Sequence, residues 1–265
     1  MYATEAYDRG MSASLVTARD RMTAPALTLA PATSLTALTD ALLERNVSAV
    51  PIVDGDRLVG VVSTTDLLAD LVRGDGAFVA KTAADVMNAD VVTASTDATL
   101  SSLAGSLYAA RIHRVVVTDA ARVVGVVSAS DLVGDVKAAG SKEPVSALMM
   151  RAIATCEVGT PADEAVRALE LAHVHGLVVV DGSKPVGVLT HREALLSRRL
   201  PAALRAQPVE EIMSYETICL EDDTPVHRAA AYATAMNVRR LLIVRDRHLV
   251  GIVSALDLVF TLRAS

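Results

Sequence analysis

A hydroxyl residue followed three positions later by a carboxylate occurs at four corresponding places along this chain. The pairs are Ser63 and Asp66, Ser128 and Asp131, Thr190 and Glu193, and Ser254 and Asp257. Such a pair can form a capping box, in which each side chain hydrogen-bonds to a free backbone N–H at the start of a helix. Capping boxes favour Glu or Gln at the second position, whereas three of these pairs use Asp. The choice of Asp favours a binding role for these three carboxylates in addition to capping a helix.

The four pairs belong to a longer repeat. Met22, Met87, Met149 and Met213 are each followed 38 positions later by a glycine, and the hydroxyl residue comes three positions after that glycine. The methionines themselves are 65, 62 and 64 residues apart. We interpret them as hydrophobic plugs. A spacing that recurs along the chain in this way indicates a repeated structural unit.

Each unit is predicted to be β-α-β-β-α, which makes the fold class α/β with α+β-type repeats. A short strand follows the methionine, as at residues 26–29 and 91–93, and two apolar runs joined by a turn such as Asp54-Gly55 form a hairpin. The first helix is expected to start near Thr33, Asp97, Thr160-Pro161 or Thr224-Pro225, with Pro at the first helical position. The second helix is expected to start at the hydroxyl residue. The units span about 18–70, 83–136, 145–197 and 209–263.

Two linkers divide the repeats. Residues 137–144 are rich in helix-breaking and polar residues, and residues 73–76 form a comparable loop within the first half. Because neighbouring units usually pack together, we predict two sequential pairs that fold independently, residues 1–138 and 143–265, divided after Asp135.

The composition limits the classes of function. Apolar residues make up 52% of the chain and aromatic residues 3%, and the formal net charge is −6. This charge disfavours general binding to nucleic acid or anionic membranes, and no apolar run approaches the ~18 residues that span a bilayer. Residues 1–5 do not resemble the start of a signal peptide. Cys156 and Cys219 are far apart, so we expect reduced core cysteines and a cytoplasmic location.

The repeated unit resembles the CBS domain family. Val50-Pro51-Ile52-Val53-Asp54 and the segment from Gly60 to Asp66 are close to the usual sequences of that family, and the resemblance extends from about Ala18 to Leu262. It implies modules of two paired units, with clefts that bind AMP, ADP, ATP or S-adenosylmethionine. The layout of four repeats is similar to that of the γ subunit of AMP-activated kinase, in which two modules form a disk.

The resemblance also implies roles for individual residues. The carboxylates of Asp66, Asp131 and Asp257 would bind ribose hydroxyls, with the hydroxyl residues Ser63, Ser128, Thr190 and Ser254 nearby. A basic pair before the second strand would contact phosphate, and the matching residues are His113, Arg114, Arg239 and Arg240. Units one and three have Ser48-Ala49 and His175-Gly176 there instead.

Several alternatives remain open at this point. The arginines are equally well explained as solvated residues that flank a strand, and His173 and His175 are expected to be exposed and not to bind metal. Glu193 places its carboxylate differently from Asp, so we expect unit three to lack a nucleotide and the clefts of Asp131 and Asp257 to be filled first. We therefore expect fewer than four nucleotides per chain.

No catalytic motif is recognised, so we expect a regulatory protein that senses adenosine nucleotides and the cell's energy state, without an intrinsic cofactor. It would form a dimer or another homo-oligomer and act on a separate enzyme or transporter. A scaffold with vestigial clefts, an S-adenosylmethionine-binding protein and a nucleic-acid-binding protein are the alternatives.

Overall fold

The computed structural model describes residues 16–74, 78, 81–199, 206–215 and 217–264. Residues 1–5 and the 75–76 part of the first predicted linker lie outside these ranges. The first unit contains α1 (Ala18–Arg21), α2 (Leu35–Glu44), β1 (Ala49–Asp54), β2 (Arg57–Ser63) and α3 (Thr64–Arg73). The second contains α4 (Ala83–Val86), β3 (Thr93–Ser95), α5 (Leu100–Ala109), β4 (Arg114–Asp119), β5 (Arg122–Ser128) and α6 (Ala129–Ala139).

The second half repeats this order. The third unit contains a 3₁₀ turn (Val145–Ala147), β6 (Thr155–Glu157), α7 (Ala162–Leu171), β7 (Gly176–Asp181), β8 (Lys184–Thr190) and α8 (His191–Ser197). The fourth contains a 3₁₀ turn (Val209–Glu211), β9 (Cys219–Glu221), α9 (Val226–Ala235), β10 (Arg240–Arg245), β11 (His248–Ser254), α10 (Ala255–Val259) and a 3₁₀ turn (Phe260–Ala264). The predicted α/β class is confirmed.

In three units the sheet is an antiparallel hairpin extended by one short parallel strand. The first unit differs, because the predicted strand at 26–29 is reduced to a single bridge between Leu29 and Ile52. Pro31 lies two residues further on and has no N–H, so it cannot donate the next bond of a parallel ladder. The prediction of a strand there was wrong for this reason.

The first long helix of units three and four starts one residue later than the predicted Pro position. Pro161 and Pro225 are N-cap residues with extended backbone, not first helical residues. The carbonyls of Thr160 and Thr224 accept hydrogen bonds from Val209 and Val145 N–H groups, at 2.7 and 2.8 Å. These bonds to the other unit of the same half keep both threonines outside the helix.

The repeated methionines pack against the repeated glycines, but each methionine contacts the glycine of another unit. Met87 covers Gly60 and Met22 covers Gly125, so the first and second units exchange these contacts. The third and fourth units do the same. A Cβ added at any of the four glycines would lie closer than 3.0 Å to the methionine side chain. Glycine is therefore required at these positions by close packing, and each methionine is the plug expected from the sequence.

The hydrophobic cores join units that are not neighbours in sequence. One core combines residues of the second and fourth units, and another combines the first and third. A small third cluster, around Val178 and Leu242, lies between the third and fourth units. Contacts between β2 and β5 join the first and second units. The four units thus form a closed arrangement, and independent folding of the two halves stays a prediction.

Helix α6 continues past the proposed division point and ends at Gly140, which has the left-handed backbone (φ 70°) typical of a helix end. Cys156 is half-buried, but Cys219 is exposed, so its prediction as a core residue was wrong. In β9 the inward position belongs to Leu220, because side chains alternate along a strand. Among the described residues, no helix combines the length and the apolar character needed to cross a bilayer.

Candidate functional site

A cavity of about 350 Å³ lies where all four units meet. Each unit contributes the start of its hairpin and the start of its second helix. These two positions are adjacent because they are register partners, as in the pairing of Arg114 with Ser128 and of Arg240 with Ser254. In every unit, the hairpin register therefore places the motif hydroxyl beside the first residue of the hairpin. In units two and four that first residue belongs to the predicted basic pair.

The cavity is strongly basic. Its lining includes five arginines, Arg111, Arg114, Arg192, Arg239 and Arg240. Two carboxylates, Asp66 and Asp90, also line it. None of the five guanidinium groups forms an ion pair within the part of the chain that the structure describes. This local excess of positive charge contrasts with the formal net charge of −6.

The central arginines repel one another. Burial, followed by the charge of Arg239, lowers the pKa of Arg114 to about 10 and that of Arg240 to about 10. Burial also lowers the pKa of Arg239. The structure thus brings all three predicted arginines together at one cavity.

The orientation of Arg240 depends on its neighbour in the third unit. Its Nη2 donates to the carbonyl of His175 at 2.6 Å. A Cβ on Gly176 would lie 3.0 Å from its Nε, so the absence of a side chain at that position leaves room for the guanidinium. Arg239 and Arg192 donate to the carbonyls of Asn46 and Leu43, at 3.4 and 3.3 Å.

Three histidines line the same cavity. The ring of His175 lies 4.5 Å from that of His113 and 5.6 Å from that of His191, centroid to centroid. Burial, then the charges of His175 and Arg240, lowers the pKa of His113 and of His191 to about 3. Burial and Arg240 also lower the pKa of His175. The imidazoles of His113 and His191 are therefore neutral at physiological pH.

The sequence predicted His113 as a site residue but not His175, His191 or Arg192. His175 is exposed, as expected, yet it lines the cavity. His191 and Arg192 are the two basic residues inside the motif of unit three, a feature that no other unit has. Unit three is expected from Glu193 to lack a nucleotide, yet these two residues place two more basic groups at the shared cavity. No group of three or more His, Cys, Asp or Glu side chains in the described residues is arranged to hold a metal ion.

All four capping boxes form. In the first unit, Asp66 Oδ2 accepts from Ser63 N at 2.8 Å and from Ser63 Oγ at 2.6 Å. The pairs at Asp131 and Asp257 have the same geometry. In each case these bonds engage Oδ2, so Oδ1 can accept from a ligand. The capping role and a ligand role are thus compatible at one carboxylate.

The third unit departs from this geometry. Glu193 Oε2 accepts from the backbone N–H of Thr190 at 3.1 Å and from the Thr190 hydroxyl, and that hydroxyl also accepts from Arg192 N at 3.2 Å. Among the motif carboxylates, Asp66 lines the central cavity, whereas Asp257 borders a separate space of about 110 Å³ beside Tyr108 and Phe260. The ribose-binding roles of Asp66, Asp131 and Asp257, and the supporting roles of Ser63, Ser128, Thr190 and Ser254, stay predictions.

The comparisons with known proteins agree with this architecture. A family model for the CBS domain matches residues 18–73, 83–137, 145–198 and 209–264. A solved structure from Methanocaldococcus jannaschii, named as a candidate archaeal homologue of g-AMPK, superposes with a TM-score of 0.80. The superposition covers 92% of this chain and 99% of that one at 14% identity, so it shows the shared fold alone.

Two curated relatives are enzymes. An A-adding tRNA nucleotidyltransferase of Geobacter sulfurreducens is 29% identical over 116 residues, which is 44% of this chain and 13% of the enzyme. A homoserine O-acetyltransferase of Methanohalobium evestigatum is 31% identical over 116 residues, which is 43% of this chain and 23% of the enzyme. The chain thus spans less than a quarter of the length of these relatives.

Proposed function

The chain belongs to the CBS domain family, and on this premise we propose that it is a non-catalytic regulatory protein that binds an adenosine nucleotide in the cavity shared by its four units. The observation that carries the proposal is that five arginines line one cavity and that their guanidinium groups have no ion-pair partner among the described residues. Gathering like charges in a partly buried space is unfavourable unless an anion binds there. A phosphate chain supplies several charged acceptors in a geometry that arginine recognises.

The rest of the cavity suits a nucleoside. Asp66 offers a free carboxylate oxygen to a ribose hydroxyl, next to the apolar side chains of Val50, Val61 and Val92. Small apolar side chains with a few placed polar groups are the usual walls of a small-molecule site. The volume of about 350 Å³ lies within the range of such sites.

Regulation without catalysis is supported by the relatives. The two curated enzymes transfer different groups, a nucleotide and an acetyl group, yet each shares a segment of similar length with this chain. A segment common to such different chemistries is better explained as a regulatory module than as a catalytic one. We propose that the enzyme or transporter that this protein regulates is a separate polypeptide, and that the protein acts as a homo-oligomer.

A titration series tests the proposal. Isothermal calorimetry with ATP, ADP, AMP and adenosine should show binding that strengthens with the number of phosphates and a stoichiometry below four. Arg240→Ala should weaken ADP and ATP by about tenfold or more and adenosine by much less, because charge-assisted hydrogen bonds are lost. Arg122→Ala, at an exposed arginine outside the cavity, is the matched control and should bind like the wild type.

Two results would contradict the proposal. If Arg240→Ala weakened adenosine as much as ATP, Arg240 would support the fold and would not bind phosphate. The second candidate function is a scaffold with vestigial clefts. It would be favoured if the melting temperature did not rise with the nucleotides, with S-adenosylmethionine or with a short RNA. A ligand at ~100 times its Kd should stabilise the protein by ~2.7 kcal/mol.

A further inference from the structure

Six basic side chains form what we term the central cluster: His113, His175, His191, Arg114, Arg239 and Arg240. They come from both halves of the chain, since the second unit supplies two of them and the third and fourth units supply the rest. The rings of His113 and His175 are in edge contact across the boundary between the halves. A ligand held by the cluster therefore contacts both halves at once.

The charges that face the histidines are mostly positive. His113 lies near Arg114, Arg239 and Arg240, whereas His175 lies near Arg114 and Arg240. His191 lies near His175 and Arg240. These groups come from the ends of β4, β7 and β10 and from α8.

The neighbouring carboxylates are too far away to neutralise the cluster. Asp131 and Glu193 raise the pKa of nearby arginines, and Asp66 and Asp90 line the same cavity. However, no imidazole or guanidinium group of the cluster lies within 4.0 Å of a carboxylate among the described residues. In the ligand-free protein, a proton on one of these histidines therefore has no adjacent carboxylate to offset its positive charge.

We infer that the central cluster binds one polyphosphate group per chain, free or as part of a nucleotide, and that its histidines take up protons from solution as that group binds. The inference rests on the proposed function for the location of the site, and adds the number of phosphate groups held and their coupling to pH. The phosphate oxygens supply the negative charge that the cavity lacks, so each imidazolium N–H gains an acceptor. One group suffices because the three rings lie within 6 Å of their neighbours, by the measured centroid distances.

The sign of the pH dependence follows from linkage. The pKa of His113 and of His191 is about 3 without ligand, and a bound polyanion raises it. The complex then holds more protons than the free protein at every pH between the two values. Affinity therefore rises as the pH falls, by up to about tenfold per pH unit for each proton taken up.

The test uses inorganic triphosphate, which carries no nucleoside. Calorimetric titration at pH 6.0 in two buffers of different ionisation enthalpy should give a stoichiometry of one. Because a phosphate group of the ligand itself titrates near this pH, the number of protons taken up is compared with that of His113→Asn and His175→Asn titrated with the same ligand. The wild type should take up more protons than either variant, and its affinity relative to theirs should fall between pH 6.0 and pH 8.0. An equal proton count in the wild type and both variants, or two triphosphates per chain, would overturn the inference.

Variants assign the protons. His113→Asn and His175→Asn should each reduce the proton uptake and flatten the pH dependence. His173→Asn is the matched control, because His173 lies outside the cavity and has a left-handed backbone (φ 49°) that Asn tolerates well. If His113→Asn and His175→Asn both kept the full proton uptake, the inference would be wrong even if triphosphate bound.

The two proposals can fail separately. Nucleotide binding without proton uptake would overturn the inference and leave the proposed function intact. Triphosphate binding with proton uptake, combined with no added affinity from the nucleoside part of ATP, would support the inference and contradict an adenosine-specific function.

Discussion

At the scale of single residues, the arginines at the centre have no ion-pair partner in the described part of the chain. The guanidinium group of Arg114 forms no ion pair among the described residues, and burial, followed by the charge of Arg239, lowers its pKa to about 10. Such a charge lowers the stability of the ligand-free protein. Functional sites commonly carry this kind of conflict between stability and binding.

Replacing Arg114 should therefore stabilise the empty protein. We expect Arg114→Gln to raise the free energy of unfolding by about 1 kcal/mol in phosphate-free buffer, since it removes a desolvated and repelled charge. The same variant should bind triphosphate about tenfold or more weakly. Urea denaturation measures the first effect and calorimetry measures the second.

The control is Arg122→Gln, at an exposed ion pair with Asp56, which should change the free energy of unfolding by less than ~0.5 kcal/mol. A loss of stability in Arg114→Gln beyond that of the control would show that Arg114 supports the fold.

The sequence identified part of this site. His113, Arg114, Arg239 and Arg240 were identified because they match the position of a phosphate-binding basic pair in the CBS family that the repeats resemble. His191 and Arg192 were not assigned to the site, because their place in the cavity depends on how the third unit meets the other three. That packing is a long-range property which a local motif does not specify.

At the scale of elements, the repeat predicted which elements form but not all their contacts. The hairpins and second helices follow directly from the apolar runs and the capping boxes. The constant spacing from methionine to glycine is compatible with a contact within one unit or between two units, and each pair actually joins two units. Equal spacing in every repeat cannot distinguish these two arrangements, because exchange between equivalent units preserves it.

A glycine substitution tests the exchanged contact. Gly60→Ala should destabilise the protein by ~1–3 kcal/mol, because its Cβ would lie 2.7 Å from Met87 Sδ in a packed site. Gly134→Ala, in helix α6 with nothing within 4 Å of the added methyl group, should be neutral or stabilise by ~0.5–1 kcal/mol. Thermal and urea denaturation compare the two. Equal effects would contradict the close packing at Gly60. Combining Gly60→Ala with Met87→Ala should recover part of the loss, since the pair is coupled.

At the scale of the whole molecule, the cavity exists only when all four units are assembled. Cores that join the first unit to the third and the second to the fourth hold the two halves together around it. A ligand in this position can favour one arrangement of the halves over another, and its differential affinity sets how far the population shifts. Regulation of a partner protein would follow from that shift.

The central claim is that an adenosine nucleotide binds with its phosphates in the shared cavity. A crystal structure of the full chain with ADP measures this directly. We expect phosphate oxygens within about 3 Å of the guanidinium groups of Arg114 and Arg240, and a ribose hydroxyl on a motif carboxylate such as Asp66. Fewer than four nucleotides should be present per chain. An ADP molecule bound on the outer surface, with the guanidinium groups still facing an empty cavity, would contradict the account.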